Sequence, residues 1–347
     1  MSPRQLDSLR RLLCDLQAHI RDTVLSARAR QGLTLTRVAA VTAADTIYAI
    51  DRVSEEAILA WFERHWPRAI SVCLVMEGLD ERAAPVTFPR GMAPVKTLFT
   101  CIIDPIDGTR NLMYDKRSGW ILAGIAPTRG AQPRLGDIFV AAMTELPTSK
   151  QERSDQISAV RGGPLHASAF DLRTRRSRRL TLHPSPAGDF THGFASVAKF
   201  FPAGKTLLAR WEEALWQQLK VAPRGHSPLI FDDQYISTGG QLYELIAGHD
   251  RFVADLRPLA FATLGLPSEL VCHPYDVCTA LLLEAAGGVI EQPNGRPLDA
   301  PLDTTYAVSW VGYANPSLAR LARPSVIRLC RRFFPGTSMR PKAKRGK

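Results

Sequence analysis

Phe99-Thr-Cys-Ile-Ile-Asp104-Pro-Ile-Asp107-Gly-Thr-Arg-Asn111 is the stretch that decides how the rest of the chain is read. Its first half, ending in Cys101-Ile-Ile103, is an apolar run rich in β-branched residues, which predicts a buried strand. Pro105 has no N–H to donate and a fixed φ, so the ladder stops at that point. Gly108-Thr109 then opens a short helix. Asp104 and Asp107, three positions apart, are left at the mouth of the strand, where both can reach one hard cation. Mg²⁺ takes oxygen ligands in octahedral geometry and keeps some of its waters. The N–H groups that begin the next helix can hold a phosphate beside it. Carboxylates for a metal next to a phosphate nest make a phosphoryl-transfer arrangement.

The remaining composition is that of an ordinary globular chain. Its 347 residues are 45% hydrophobic and 22% charged, with length enough for one large domain or two smaller ones. No apolar run reaches the roughly 18 residues of a membrane span. The N-terminus interleaves Arg4, Arg10, Arg11 and Asp15 with leucines, unlike a signal peptide. Six scattered cysteines (14, 73, 101, 272, 278, 330) form no C-x-x-C pair, which predicts reduced thiols and a cytoplasmic location. The net charge of +11 is concentrated at the C-terminus, where ten basic residues and no acids follow from Arg320 onward. A second block runs from Arg173 to Arg179. Both read as solvated surface; the functional alternative is salt-dependent contact with nucleic acid or anionic lipid.

Along the chain, Leu6, Leu9, Leu13, Leu16 and Ile20 predict an amphipathic helix over about residues 3–30. A second helix contains Ser54-Glu-Glu-Ala-Ile-Leu-Ala-Trp-Phe62, capped by Ser54 or beginning at Asp51. Ser71 to Met76 is an apolar strand ending in Glu77-Gly78. Gly119–Ala126 and Leu135–Met143 read as paired strands, Gly193–Lys199 as the strand that opens a second subdomain, and Lys205–Leu219 as a helix. Gly204-Lys205-Thr206 is no P-loop, because the required glycine five positions earlier is Lys199. Near the C-terminal end, Asp276 is read as beginning a helix that stops at Gly287-Gly288.

Asp104-Pro-Ile-Asp-Gly-Thr-Arg-Asn111 resembles the signature of the inositol monophosphatase superfamily of Mg²⁺-dependent, often Li⁺-sensitive phosphatases. Glu77 resembles the first glutamate of the family's Gly-Glu-Glu element, with Gly78 in place of the second. His273-Pro-Tyr-Asp276, followed by Glu284-Ala-Ala-Gly-Gly288, resembles its Trp-Asp…Glu-Ala-Gly-Gly block. The resemblance spans most of residues 40–315 and implies a layered α-β-α-β-α sandwich of the inositol monophosphatase and fructose bisphosphatase type, usually a homodimer. Residues 1–192 would form an N-terminal α+β subdomain carrying the metal motif, 193–325 a C-terminal α/β subdomain, and 326–347 a basic tail.

By the same resemblance, two Mg²⁺ ions would be held by Glu77, Asp104, the Ile106 carbonyl, Asp107 and Asp276. Asp51 is either a helix cap or a ligand near a third metal position. Glu77 and Thr109 would orient the attacking water. Gly108, Thr109 and Arg110 would bind phosphate, and Gly239 would let a sugar ring approach or simply start a helix. Either Asp255 or Glu269 would contact a substrate hydroxyl, because an insertion at Leu256–Leu266 leaves that position open. The expected substrate is a small sugar or polyol phosphate monoester such as inositol 1-phosphate. The alternatives are a 3′-phosphonucleotide or histidinol phosphate, or a non-catalytic relative that binds anions or nucleic acid through its arginines.

Overall fold

The computed structural model describes residues 1–31, 38–41, 46–79, 85–221, 229–267 and 270–336. Helix α1 (Pro3–Gln31) buries Leu9, Leu13, Leu16, Ile20 and Val24, one apolar residue per turn, as the heptad-like spacing predicts. The hairpin β1 (Val38–Val41) and β2 (Thr46–Tyr48) leads into α2 (Ala49–His65). Asp51 therefore lies in the first turn of α2 and Ser54 inside the helix, where its hydroxyl donates to the Asp51 carbonyl at 2.6 Å. Neither residue is the cap that the sequence suggested, since the helix begins two residues before Asp51.

Next come β3 (Val72–Met76), β4 (Val86–Phe88), β5 (Phe99–Asp107), the short α3 (Thr109–Met113), β6 (Gly119–Pro127), β7 (Val140–Leu146), β8 (Arg153–Val160), β9 (His166–Asp171) and β10 (Ser177–Arg179). They build one sheet of eight strands in the order β10-β9-β8-β7-β6-β5-β3-β4. Only β3 and β5 are parallel neighbours within it. The second strand of the expected pair starts at Val140, because Leu135–Asp137 closes into a single 3₁₀ turn. The arginine block falls on the exposed edge hairpin β9–β10, where charge discourages edge-to-edge pairing.

Then follow β11 (Gly193–Val197), α4 (Lys205–Gln218), β12 (Ile230–Phe231), α5 (Thr238–Ala247), β13 (Asp250–Asp255), α6 (Arg257–Leu264), α7 (Ala280–Ala285), β14 (Val289–Glu291), β15 (Trp310–Tyr313) and α8 (Pro316–Phe333). Their strands form a second sheet, β12-β11-β13-β15-β14. Helix α7 starts four residues after Asp276, which sits in a run of turns. Helix α8 continues beyond position 326 and buries Val326, Leu329 and Cys330, so the basic C-terminal segment begins as a packed amphipathic helix. Residues 337–347 lie outside the described residues.

The layers follow from side-chain alternation along β5. Cys101 and Ile103 point to the core shared with α1 and α2, whereas Ile102 points to the core shared with α5, α7 and the second sheet. Helices α5 and α7 touch both sheets, and α4 and α8 pack together against the outer face of the second. The order is helices, sheet, helices, sheet, helices, the layered sandwich that the sequence resemblance implied.

Candidate functional site

Residues three apart on a regular strand face opposite sides of the sheet. Asp104 and Asp107 escape that rule through a bulge. Asp104 pairs with Leu122 and Asp107 with Trp120, so β5 spends one more residue than β6 between the two pairs. The extra residue falls at Pro105-Ile106, where proline cannot donate to the ladder. The Asp104 Oδ1 then accepts the Ile106 N–H at 3.0 Å. Both carboxylates emerge at one end of the strand, and the turn at Asp276 brings a third. Carboxylate oxygens of Asp104, Asp107 and Asp276 all lie within 4.8 Å of one another.

The three acids burden one another. Burial, followed by the charges of Glu77, Asp107 and Asp276, pushes Asp104 well above the usual carboxylate range. Burial and the Asp107 charge do the same to Asp276, against the His273 N–H that its Oδ2 accepts at 2.5 Å. Asp107 is raised to about 6 by burial, restrained by donors from the start of α5. Its Oδ2 accepts the Ser237 hydroxyl at 2.7 Å and the Gly239 N–H at 2.5 Å, and its Oδ1 the Thr238 N–H at 3.3 Å. Ser237 also caps α5 by accepting the Gly240 N–H at 2.8 Å. An all-oxygen donor set of two buried acids and one half-buried acid, carrying this charge, fits a hard divalent cation.

These acids line a cleft open to solvent. Glu77, Ile106, Gly108, Thr109 and Arg110 line it too, so most of the residues singled out in the sequence converge there. The Thr109 hydroxyl lies 2.9 Å from the Ile106 carbonyl and 3.3 Å from Asp51 Oδ1, placing Asp51 directly behind the site. His273 is buried beside it and stacks on Tyr275, with ring planes 15° apart.

Asp255 is fully buried and faces inward. Its carboxylate takes the Nε and Nη2 donors of Arg257, and Arg257, not Asp255, lines the cleft. Arg257 also donates to the Leu270 carbonyl at 2.9 Å and lies over the Phe200 ring at 4.4 Å. Gly239 is accounted for by packing: a Cβ there would come within 2.6 Å of Leu122 Cδ2 and 2.9 Å of Asp107 Oδ2. Glu269 lies outside the described residues.

Four participants were not legible in the sequence: Phe200, Phe201, Ser237 and Arg257. Ser237 carried a signal, as a cap residue before a small-residue helix start. The adjacent Phe200-Phe201 and the inserted Arg257 matched no motif.

No protein-family model matches the sequence, and no curated protein is similar to it in sequence. Solved structures do match its fold. Fructose-1,6-bisphosphatase from Leishmania major superposes with a TM-score of 0.64 at 16% identity, covering 96% of this chain and 95% of that one. The extragenic suppressor protein SuhB of Bartonella henselae gives 0.60 at 13%, covering 93% and 98%. An inositol monophosphatase from Anabaena gives 0.59 at 13%, covering 93% and 97%. The chain shares the fold common to these three proteins.

Proposed function

We propose that this chain, built on the inositol monophosphatase and fructose bisphosphatase fold, is a divalent-metal-dependent phosphatase of small sugar or polyol phosphate monoesters. The observation that carries this reading is the meeting of Asp104, Asp107 and Asp276 at the floor of an open cleft that Arg110 and Arg257 also line. These acids, more than 160 positions apart in sequence, gather in a largely buried cluster, and a bound divalent cation would offset their repulsion.

Asp104, Asp107 and Asp276 would hold Mg²⁺, with Glu77 and the Ile106 carbonyl completing the donor set on the side nearest Asp104. When bound, such ions polarise the phosphate ester and make a bound water acidic. The protein's own groups do the rest. The Thr109 hydroxyl has one proton and two lone pairs. When it donates to Asp51, it accepts from a water and fixes that water's orientation. Glu77, on the same wall, takes the water's proton as its oxygen attacks phosphorus. The bond from phosphorus to the ester oxygen breaks, and the alcohol leaves after taking a proton from solvent. Arg110 and Arg257 offset the charge of the phosphoryl oxygens.

Inositol 1-phosphate is the default substrate of this proposal, and Li⁺ inhibition, two Mg²⁺ ions, a homodimer and a cytoplasmic location belong to it. All six cysteines are free thiols, which suits a reducing compartment. Among the described residues no helix is long and apolar enough to cross a membrane. Nucleic-acid binding through the central arginines has less support, since Arg173 and Arg175 pair with Glu152 and Asp22. The test is phosphate release from inositol 1-phosphate, a 3′-phosphonucleotide and histidinol phosphate, with and without Mg²⁺ and Li⁺. Mg²⁺-dependent release from at least one is expected. No release from any of them under any condition would remove the proposal.

A further inference from the structure

Gly78 follows Glu77 at the rim of the cleft, in the place where the resembled family carries a second glutamate. The sequence alone reads this as an acid lost. In the structure Gly78 has φ +83, a left-handed conformation that a side chain strains to adopt. A Cβ built on it would also collide with Glu55, falling 2.9 Å from the carboxylate carbon and closer still to Oε1. The space that a side chain at position 78 would fill is therefore already taken by a carboxylate.

That carboxylate comes from α2. Glu55 lies one turn after Asp51, and residues four apart share a helix face. The same face thus sends Asp51 to Thr109 and Glu55 to the backbone beside Glu77. We propose that Glu55 is a positioning residue of the metal site: it returns to the Glu77 side of the cleft the negative charge that the sequence omits at 78, and Gly78 is glycine in order to admit it. The inference rests on the phosphatase reading, because the charge is useful there only if cations bind next to it. Supporting carboxylates of this kind typically change metal affinity 10- to 100-fold.

The test is calorimetric titration of the metal-free full-length protein with Mn²⁺, comparing wild type with E55Q, G78A, the double variant E55Q/G78A, and D104N. Glu56, the exposed neighbour on α2, supplies the control E56Q. E55Q is expected to weaken Mn²⁺ binding about tenfold or more, with its metal-free urea midpoint kept and E56Q unchanged. G78A, which leaves Glu55 in the chain but pushes its carboxylate aside, should weaken binding similarly. The double variant should add no further loss, since both changes act on one group. If E55Q binds Mn²⁺ like wild type while D104N loses it, Glu55 is not part of the site and the phosphatase reading survives. Additive losses in the double variant would overturn the inference too. Wild-type binding by D104N would instead bring down the metal site itself, a different failure.

Discussion

Asp107→Asn without metal should make the protein more stable at alkaline pH, although it would disable the proposed metal site. The wild-type carboxyl is raised from an ordinary 3.8 to about 6 by burial. A group raised in this way favours folding while protonated, and that advantage is lost as pH climbs through the folded value. By pH 8 the ionised, buried carboxylate costs up to about 3 kcal/mol, whereas at pH 4.5 the cost is about 1 kcal/mol. Asparagine escapes both costs but cannot accept on both sides. Keeping its oxygen toward Ser237 and Gly239 turns the amide nitrogen against the Thr238 N–H, the longest of the bonds at 3.3 Å. That loss is about 1 kcal/mol. The variant should therefore match wild type near pH 4.5 and exceed it by about 2 kcal/mol at pH 8, in EDTA. Urea denaturation at the two pH values measures this directly. Saturating Mg²⁺ should reverse the order, because it stabilises only the chain that binds it. A D107N protein less stable than wild type at pH 8 without metal would refute the account of Asp107 as an acid whose ionised form is penalised by burial.

Asp255→Asn should destabilise the fold by about 3–5 kcal/mol in a urea melt, because it leaves the buried Arg257 guanidinium short of its partner. It should also raise KM, since Arg257 forms part of the cleft wall. Gly239→Ala should cost about 1–3 kcal/mol and lower kcat, because the added methyl group meets Leu122 and Asp107 together; unchanged kcat would mean that Asp107 tolerates displacement. Arg110→Ala should raise KM for the phosphate ester about tenfold or more, and an unchanged KM would show that Arg110 does not meet the phosphate.

The sequence was most informative where one residue has one consequence. Pro105 between two acids announced a break in the ladder, which the structure makes a bulge and not a stop since β5 runs on to Asp107, and the apolar run Cys101-Ile-Ile103 announced a buried strand. Start positions of helices were harder. Ser54 and Asp276 both resemble caps locally, yet tertiary packing starts α2 before Asp51 and delays α7 until Ala280. Least legible was anything set by a distant part of the chain. Gly239 looked like room for a ligand or a helix start, but it is small because Leu122 and Asp107, from the first sheet, press on it. Asp255 was one of two candidates for a substrate-hydroxyl contact and is instead the buried counterion of Arg257. Gly78 looked like a deletion of charge, although the space beside it holds Glu55. In each case the sequence supplied the residue type, and long-range contact decided its meaning.

Asp107 shows why fold and site cannot be separated in this protein. It ends a strand of the first sheet, yet its carboxylate accepts from the first residues of α5, which packs between the sheets. Ser237 links the two at once, giving its proton to Asp107 and taking the Gly240 N–H that caps the helix. Through that pair, the docking of α5 on the first sheet determines where one oxygen of the proposed metal site points. Asp276, the third acid, arrives from the turns ahead of α7, the other helix of the middle layer. The cluster therefore does not exist until the middle layer is seated, and a cation that bridges Asp107 and Asp276 would clamp that layer to the first sheet. The conflict among these acids, two buried and one half-buried within reach of each other, thus falls at the junction whose closure a divalent ion would reward.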